Sequence, residues 1–208
     1  MSIMPAANYI RAVFIVALNA SATQWYYSLT SPPAGWEVSP EWSFSGNGAA
    51  VDFYEIAEYG QSFSREGNII SEPFAIPESV EELEVEFDHE WLCSGSGSEY
   101  SDYQARVRVY YSINWQTPVL LLHYYAGNYI GYYNSSGSEH FTATLPISPG
   151  DSTIRFLYNG SLHVSCWGAS TTTAIGHLEW EISDFLLTVF DGQELQPSTW
   201  ASLKRIFE

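Results

Sequence analysis

The chain has 208 residues, 46% of them hydrophobic and 16% aromatic, enough apolar surface for one globular core. Its 24 acids against 7 bases give a net charge of −17, which argues against nucleic acid or an anionic membrane surface as partner and allows cations, neutral glycans or a basic protein. With 15 Tyr, 11 Phe and 8 Trp, the composition favours strands.

Arg11, the apolar run 12–18 and Ala20-Ser21-Ala22 form a basic residue, a short hydrophobic stretch and an A-x-A site. That pattern reads as an export signal over residues 1–22, and the run is too short to span a bilayer. A secreted or cell-surface protein follows, with no membrane insertion of the mature chain. Residues 23–192 then read as one β domain and 193–208 as a tail.

Trp25 to Leu29 is the first strand, ended by the turn residues of 30–36. Trp36 and Trp42 read as plugs at the end of a core. Ala49 to Tyr54 is a strand, and 55–68 is mixed and loop-like. Ile69 to Ile76 is a strand broken by Pro73, which points to an edge. Leu83 to Cys93 alternates Leu83, Val85, Phe87, His89, Trp91 and Cys93 with Glu84, Glu86, Asp88 and Glu90. This is a central strand with one buried and one acidic face. Within it, His89 reads as a core histidine with a hydrogen-bonded ring.

Tyr103 to Trp115 alternates again, with Arg106 and Arg108 on the face opposite Val107, Val109 and Trp115. Paired with the central strand, those arginines would lie across from its acids. Strands at 119–125 and 129–133 about Gly127-Asn128 read as a hairpin, with a return over 140–145. Asn159-Gly160 is a second hairpin signal, between strands 153–158 and 162–167. In the last strand, 175–189, the apolar phase slips after Ile182, which predicts a β-bulge at Ser183-Asp184. Ser198 caps a short C-terminal helix carrying Trp200, Leu203, Ile206 and Phe207. The fold class expected is therefore all-β, an antiparallel β-sandwich of jelly-roll type with a short C-terminal helix.

Cys93 and Cys166 are the two cysteines, an even pair in an exported chain, and predict one disulfide contributing about 4 kcal/mol on the chain-entropy model. No histidine falls in an H-x-H or H-E-x-x-H pattern. Calcium is the one cofactor the acids could take, with Asp184 at the bulge as its candidate ligand. Tyr124, Tyr125, Tyr129, Tyr132 and Tyr133 place aromatic rings on both faces of the first hairpin. One face belongs to the core, and the other could stack on sugar rings, a cell-surface protein or a second copy of the chain.

Glu86, Asp88 and Glu90 make an E-x-D-x-E triplet similar to that of laminarinase-like jelly-roll glycosidases, which implies the alternative of a small glycoside hydrolase. Arginine neighbours lower carboxylate pKa values and work against a general acid there. Taken in order, Pro33 to Trp36, the Trp42–Gly48 turn with Ala49-Ala50, Ile70 to Phe74, Leu83 to His89 and Trp180 to Asp184 resemble the choice-of-anchor J, cleaved-adhesin and MAM-like jelly-roll modules of secreted proteins. The resemblance implies a non-catalytic adhesion or binding module, and the hairpin tyrosines make carbohydrate its candidate ligand. A structural subunit of an extracellular assembly is the third alternative. The tail W-x-x-L-K-x-x-F is similar to short C-terminal tails of exported bacterial proteins and implies sorting or docking.

Overall fold

The computed structural model describes residues 22–78, 80–127, 130–167 and 172–190. The signal-like segment up to residue 21, Tyr129, and the 191–208 tail with its expected helix lie outside these. Described residues form strands β1 (Ala22–Tyr27), β2 (Glu37–Val38), β3 (Ser43–Ser45), β4 (Gly48–Glu58), β5 (Ser62–Ile70) and β6 (Phe74–Ala75). These are followed by β7 (Glu82–Gly97), β8 (Ser101–Ile113), β9 (Val119–Gly127), β10 (Gly131–Pro146), β11 (Thr153–Cys166) and β12 (Thr173–Phe190). Sheet A has the order β10-β7-β12-β4-β3 with β1 also on β12; sheet B has β2-β5-β11-β8-β9 with β6 also on β11. Every pairing is antiparallel. The chain is an all-β sandwich of jelly-roll type that crosses repeatedly between its sheets.

Alternation puts Val85, Phe87 and Leu178 of sheet A against Val107, Phe156 and Tyr158 of sheet B, all fully buried. Trp42 closes one end, edge-on to Trp180 at 5.4 Å, and Trp36 packs edge-on to Phe185 at 5.5 Å. Both act as the expected plugs. The bulge lies where the slipped phase put it: β12 loses register on β7 between Ser183 and Leu186, and Asp184 has a φ of 53°. The extra residue turns Phe185, Leu187 and Val189 back into the core.

Four expectations are corrected. Asn159-Gly160 is no turn: β11 runs straight through it, pairing with Asn68-Gly67 on one side and Arg108-Val107 on the other. Packing overrides the turn chemistry, because a Cβ on Gly160 would come 3.0 Å from Val51 and the Asn159 amide is buried among partners. Likewise β9 and β10 are not a hairpin, since β9 edges sheet B while β10 edges sheet A. The central strand pairs with β10 and β12 rather than with Tyr103–Trp115, so Arg106 and Arg108 lie in the opposite sheet from the acids. Finally, Cys93 and Cys166 are unbonded buried thiols. They sit in different sheets; Cys166 Sγ lies 3.2 Å from Thr172 Oγ1, and burial pushes the Cys93 thiol up to about 12.

Candidate functional site

On the solvent side of sheet A, β7 presents Glu84, Glu86, Asp88 and Glu90, and β12 adds Glu179 and Glu181. The basic neighbour is a histidine, not an arginine. His140 on β10 lies 2.8 Å from Asp88 Oδ1 through Nδ1 and 3.1 Å from Glu86 Oε2 through Nε2. Those hydrogen bonds, Asp88 first, raise its pKa. Glu84 is also raised, by partial burial and then by the charge of Glu86. The triplet Glu86, Asp88 and Glu90 therefore lies on an open sheet face with His140 hydrogen-bonded to two of its members. Glycoside hydrolysis asks for a carboxyl pair flanking a held sugar, one of them kept protonated.

The same face brings Asp52, His177 and Glu179 together, with ligand atoms within 4.8 Å of one another. His177 Nε2 is 3.2 Å from Asp52 and 3.1 Å from Glu179, and Tyr54 holds the ring edge-on at 5.5 Å. A mixed nitrogen and oxygen set suits a transition ion better than calcium. Asp184, the calcium candidate, lies at the bulge and accepts the Tyr26 hydroxyl; among the described residues it is in no cluster of three metal-ligating side chains.

The tyrosines do not form one platform. Tyr124 and Tyr125 alternate faces on β9, whereas Tyr132 and Tyr133 are exposed on β10 of the other sheet. Tyr124 turns inward and stacks on Trp91 at 3.7 Å, its hydroxyl donating to Glu139. Burial, then that bond, raises the Tyr124 pKa, and the same bond lowers that of Glu139. His89 stacks on Trp91 at 5.0 Å with Nε2 3.3 Å from Glu139, and burial lowers its pKa. It is the core histidine expected. Gly137 leaves room for this stack, since a Cβ there would meet Trp91 at 2.6 Å. The cluster seals the gap between β7, β10 and β9.

Tyr125 faces out, onto sheet B, where a different surface is built. Register places Glu66, Ser161, Arg106 and Tyr125 in one cross-strand row and Asn68, Asn159, Arg108 and His123 in the next. Asn159 is the hub: its amide donates to Glu66 Oε1 and Asn68 Oδ1, both at 2.7 Å, and its oxygen accepts from Arg108 at 2.6 Å. Arg106 donates to Gln104, which donates to Asp102 at 2.9 Å. The Arg106 guanidinium lies 5.3 Å from the Tyr125 ring centre, Arg108 lies 5.9 Å from Tyr110, and Arg155 lies 4.2 Å from the exposed Trp115. Two adjoining depressions, of about 480 and 410 Å³, run along this face and share Glu66 and Arg108 in their walls. Every arginine among the described residues, Arg65, Arg106, Arg108 and Arg155, belongs to sheet B, and no lysine is among them.

The alternation of Gln104, Arg106, Arg108 and Tyr110 shows this face in the sequence, but its strand pairs with β11 and β9 rather than with the acidic strand. Trp115, read as inward, turns out because Asn114 and Trp115 take φ of 48° and 62°. Asn159 was hidden by its likeness to a turn.

No family model matches the sequence, and no curated protein does. Among solved structures, the chain is similar to the K3 cleaved adhesin domain of Lys-gingipain from Porphyromonas gingivalis, at 12% identity over 79% of this chain and 98% of that one, TM-score 0.35. It is also similar to TmCBM27, a carbohydrate-binding module with specific mannan recognition, at 15% identity over 81% and 98%, TM-score 0.33. A CBM4 structure matches at 14% identity over 76% and 96%, TM-score 0.28. No described helix is long and apolar enough to cross a membrane.

Proposed function

We propose that the chain is an exported, non-catalytic binding module that takes a saccharide chain along the outer face of sheet B. One observation carries this reading: Tyr110 lines the larger depression beside Arg108, and on the same sheet Tyr125 lies against Arg106 and Trp115 against Arg155. Sugars have apolar ring faces and hydroxyl edges, and such a surface offers stacking to the first and hydrogen bonds to the second. Hydrolysis would need a proton donor beside the ring; on that face Glu37, Glu66 and Asp102 are engaged as acceptors. A glycan array on the protein beside a reducing-sugar assay tests the reading. Binding without release of reducing ends is the expected result, with Trp115→Ala and Tyr125→Ala weakening it. Release of reducing ends that Glu86→Gln abolishes would replace this reading with the hydrolase.

A further inference from the structure

Resting on that reading, we infer that Arg106 and Arg108 form an oxyanion subsite of the sheet B face, so that the saccharide taken there is an acidic one carrying carboxylate or sulfate groups. The chain holds 24 acids against 7 bases, yet neither guanidinium has a carboxylate within 4.0 Å among the described residues; the ion-paired arginines are Arg65 and Arg155. An arginine in so acidic a protein finds a carboxylate by chance more easily than it avoids two. Instead the pair stands two residues apart on one strand face, about 7 Å between Cα atoms, where each repels the other.

Neutral groups hold both in place. Arg106 leans on Tyr125 and reaches Gln104; Arg108 gives one terminal nitrogen to Asn159 and to Ser161 at 3.3 Å. The Arg108 Nε–H is buried and has no hydrogen-bond partner among the described residues. A buried charged donor left open costs stability unless something occupies it. The neighbouring His123 lies beside the pair: burial first, then Arg108 and Arg106, lower its pKa. A planar guanidinium fork matches a carboxylate or sulfate with two parallel hydrogen bonds, and a neutral hydroxyl uses only one. The acids of sheet A lie on the far side of the sandwich, beyond a Debye length of about 8 Å at physiological salt, so they do not cancel the pair.

The test is calorimetric titration of the whole protein with three ligands: oligogalacturonate, the same oligomers with carboxyls reduced to alcohols, and a sulfated galactan oligomer. Oligogalacturonate or the sulfated oligomer should bind at least about tenfold more tightly than the reduced form, as expected for a charge-assisted pair. Which of the two is tighter identifies the anion. Arg106→Gln should cost the acidic ligand at least about tenfold and the reduced ligand, which loses one neutral hydrogen bond, much less, and Arg106→Lys should recover part of the acidic ligand's loss. A folding defect in the variant would weaken both ligands alike, so the difference between them reads the subsite. Equal affinity for acidic and reduced oligomers, unaffected by Arg106→Gln, overturns the oxyanion subsite and leaves saccharide binding standing. No binding of these or any arrayed glycan overturns both.

Discussion

The two outer faces of this sandwich are built from the same alternation and differ in what holds their charges. On sheet A, carboxylates crowd one another in solvent, with His140 and His177 hydrogen-bonded among them. On sheet B, three strands, β5, β8 and β11, contribute to one hydrogen-bonded lattice centred on Asn159, and aromatic rings lie against the arginines. A solvated charged face needs no partner. A face whose donors are fixed in advance, one of them unpaired, has its ordering cost met before a ligand arrives. That difference is why the acidic strand, the most conspicuous stretch of the sequence, is the weaker candidate site.

The largest effect should come from the hub. Asn159→Leu strands Arg108, Glu66 and Asn68 without their partner and should lower stability by about 1–3 kcal/mol in a urea melt. Glu90→Gln on the acidic face should stay within about 0.5 kcal/mol. Equal effects would erase the distinction between a locked and a solvated face.

Next, the two faces should answer pH with opposite sign. Hydrogen bonds to Asp88 and Glu86 raise the His140 pKa. Its contribution is full below the unfolded value of about 6.5 and is lost as pH rises through the folded one. Burial, Arg108 and Arg106 lower that of His123, so the stability linked to it is present above about pH 6.5 and lost as pH falls. Thermal melts should show His140→Gln destabilising at pH 6 and not at pH 9, and His123→Gln relieving a loss below pH 6. Both sites are exposed, so each difference should be a few tenths of a kcal/mol.

The smallest effect concerns salt. Lowering ionic strength from about 0.15 to 0.01 M lengthens screening from about 8 to 30 Å, so the acidic face begins to oppose an anionic ligand that Arg106 and Arg108 attract. Affinity for an acidic oligosaccharide should therefore change by less than about threefold across that range. A steep gain at low salt, as in basic grooves, would mean that the far face plays no part.

Strand phase was legible wherever one face is wet. Leu83 to Cys93, Tyr103 to Ile113 and the Ser183-Asp184 slip each show their buried side directly, because exposure imposes a period on the sequence. Partnership was not legible. Nothing in β7 or β8 says which sheet each enters, and consecutive strands here cross the sandwich instead of pairing, so the acid–arginine pairing and the 124–133 hairpin both failed. Asn159-Gly160 carries the strongest local turn signal in the chain, yet a small residue facing Val51 and a buried amide in a lattice need the same two letters. The cysteines failed for a related reason: apolar phase shows that a thiol is buried, not which sheet it is buried in.

The central claim is that sheet B, not sheet A, is the working face. It is tested most directly by one titration series, using a glycan found on the array against Tyr125→Ala and, in parallel, against the combined Glu86→Gln, Asp88→Asn and Glu90→Gln variant. Loss of a stacking ring should cost Tyr125→Ala about tenfold in affinity, while the acid-face variant stays within about twofold of the parent. Unchanged affinity in Tyr125→Ala together with lost affinity in the acid-face variant would contradict the account.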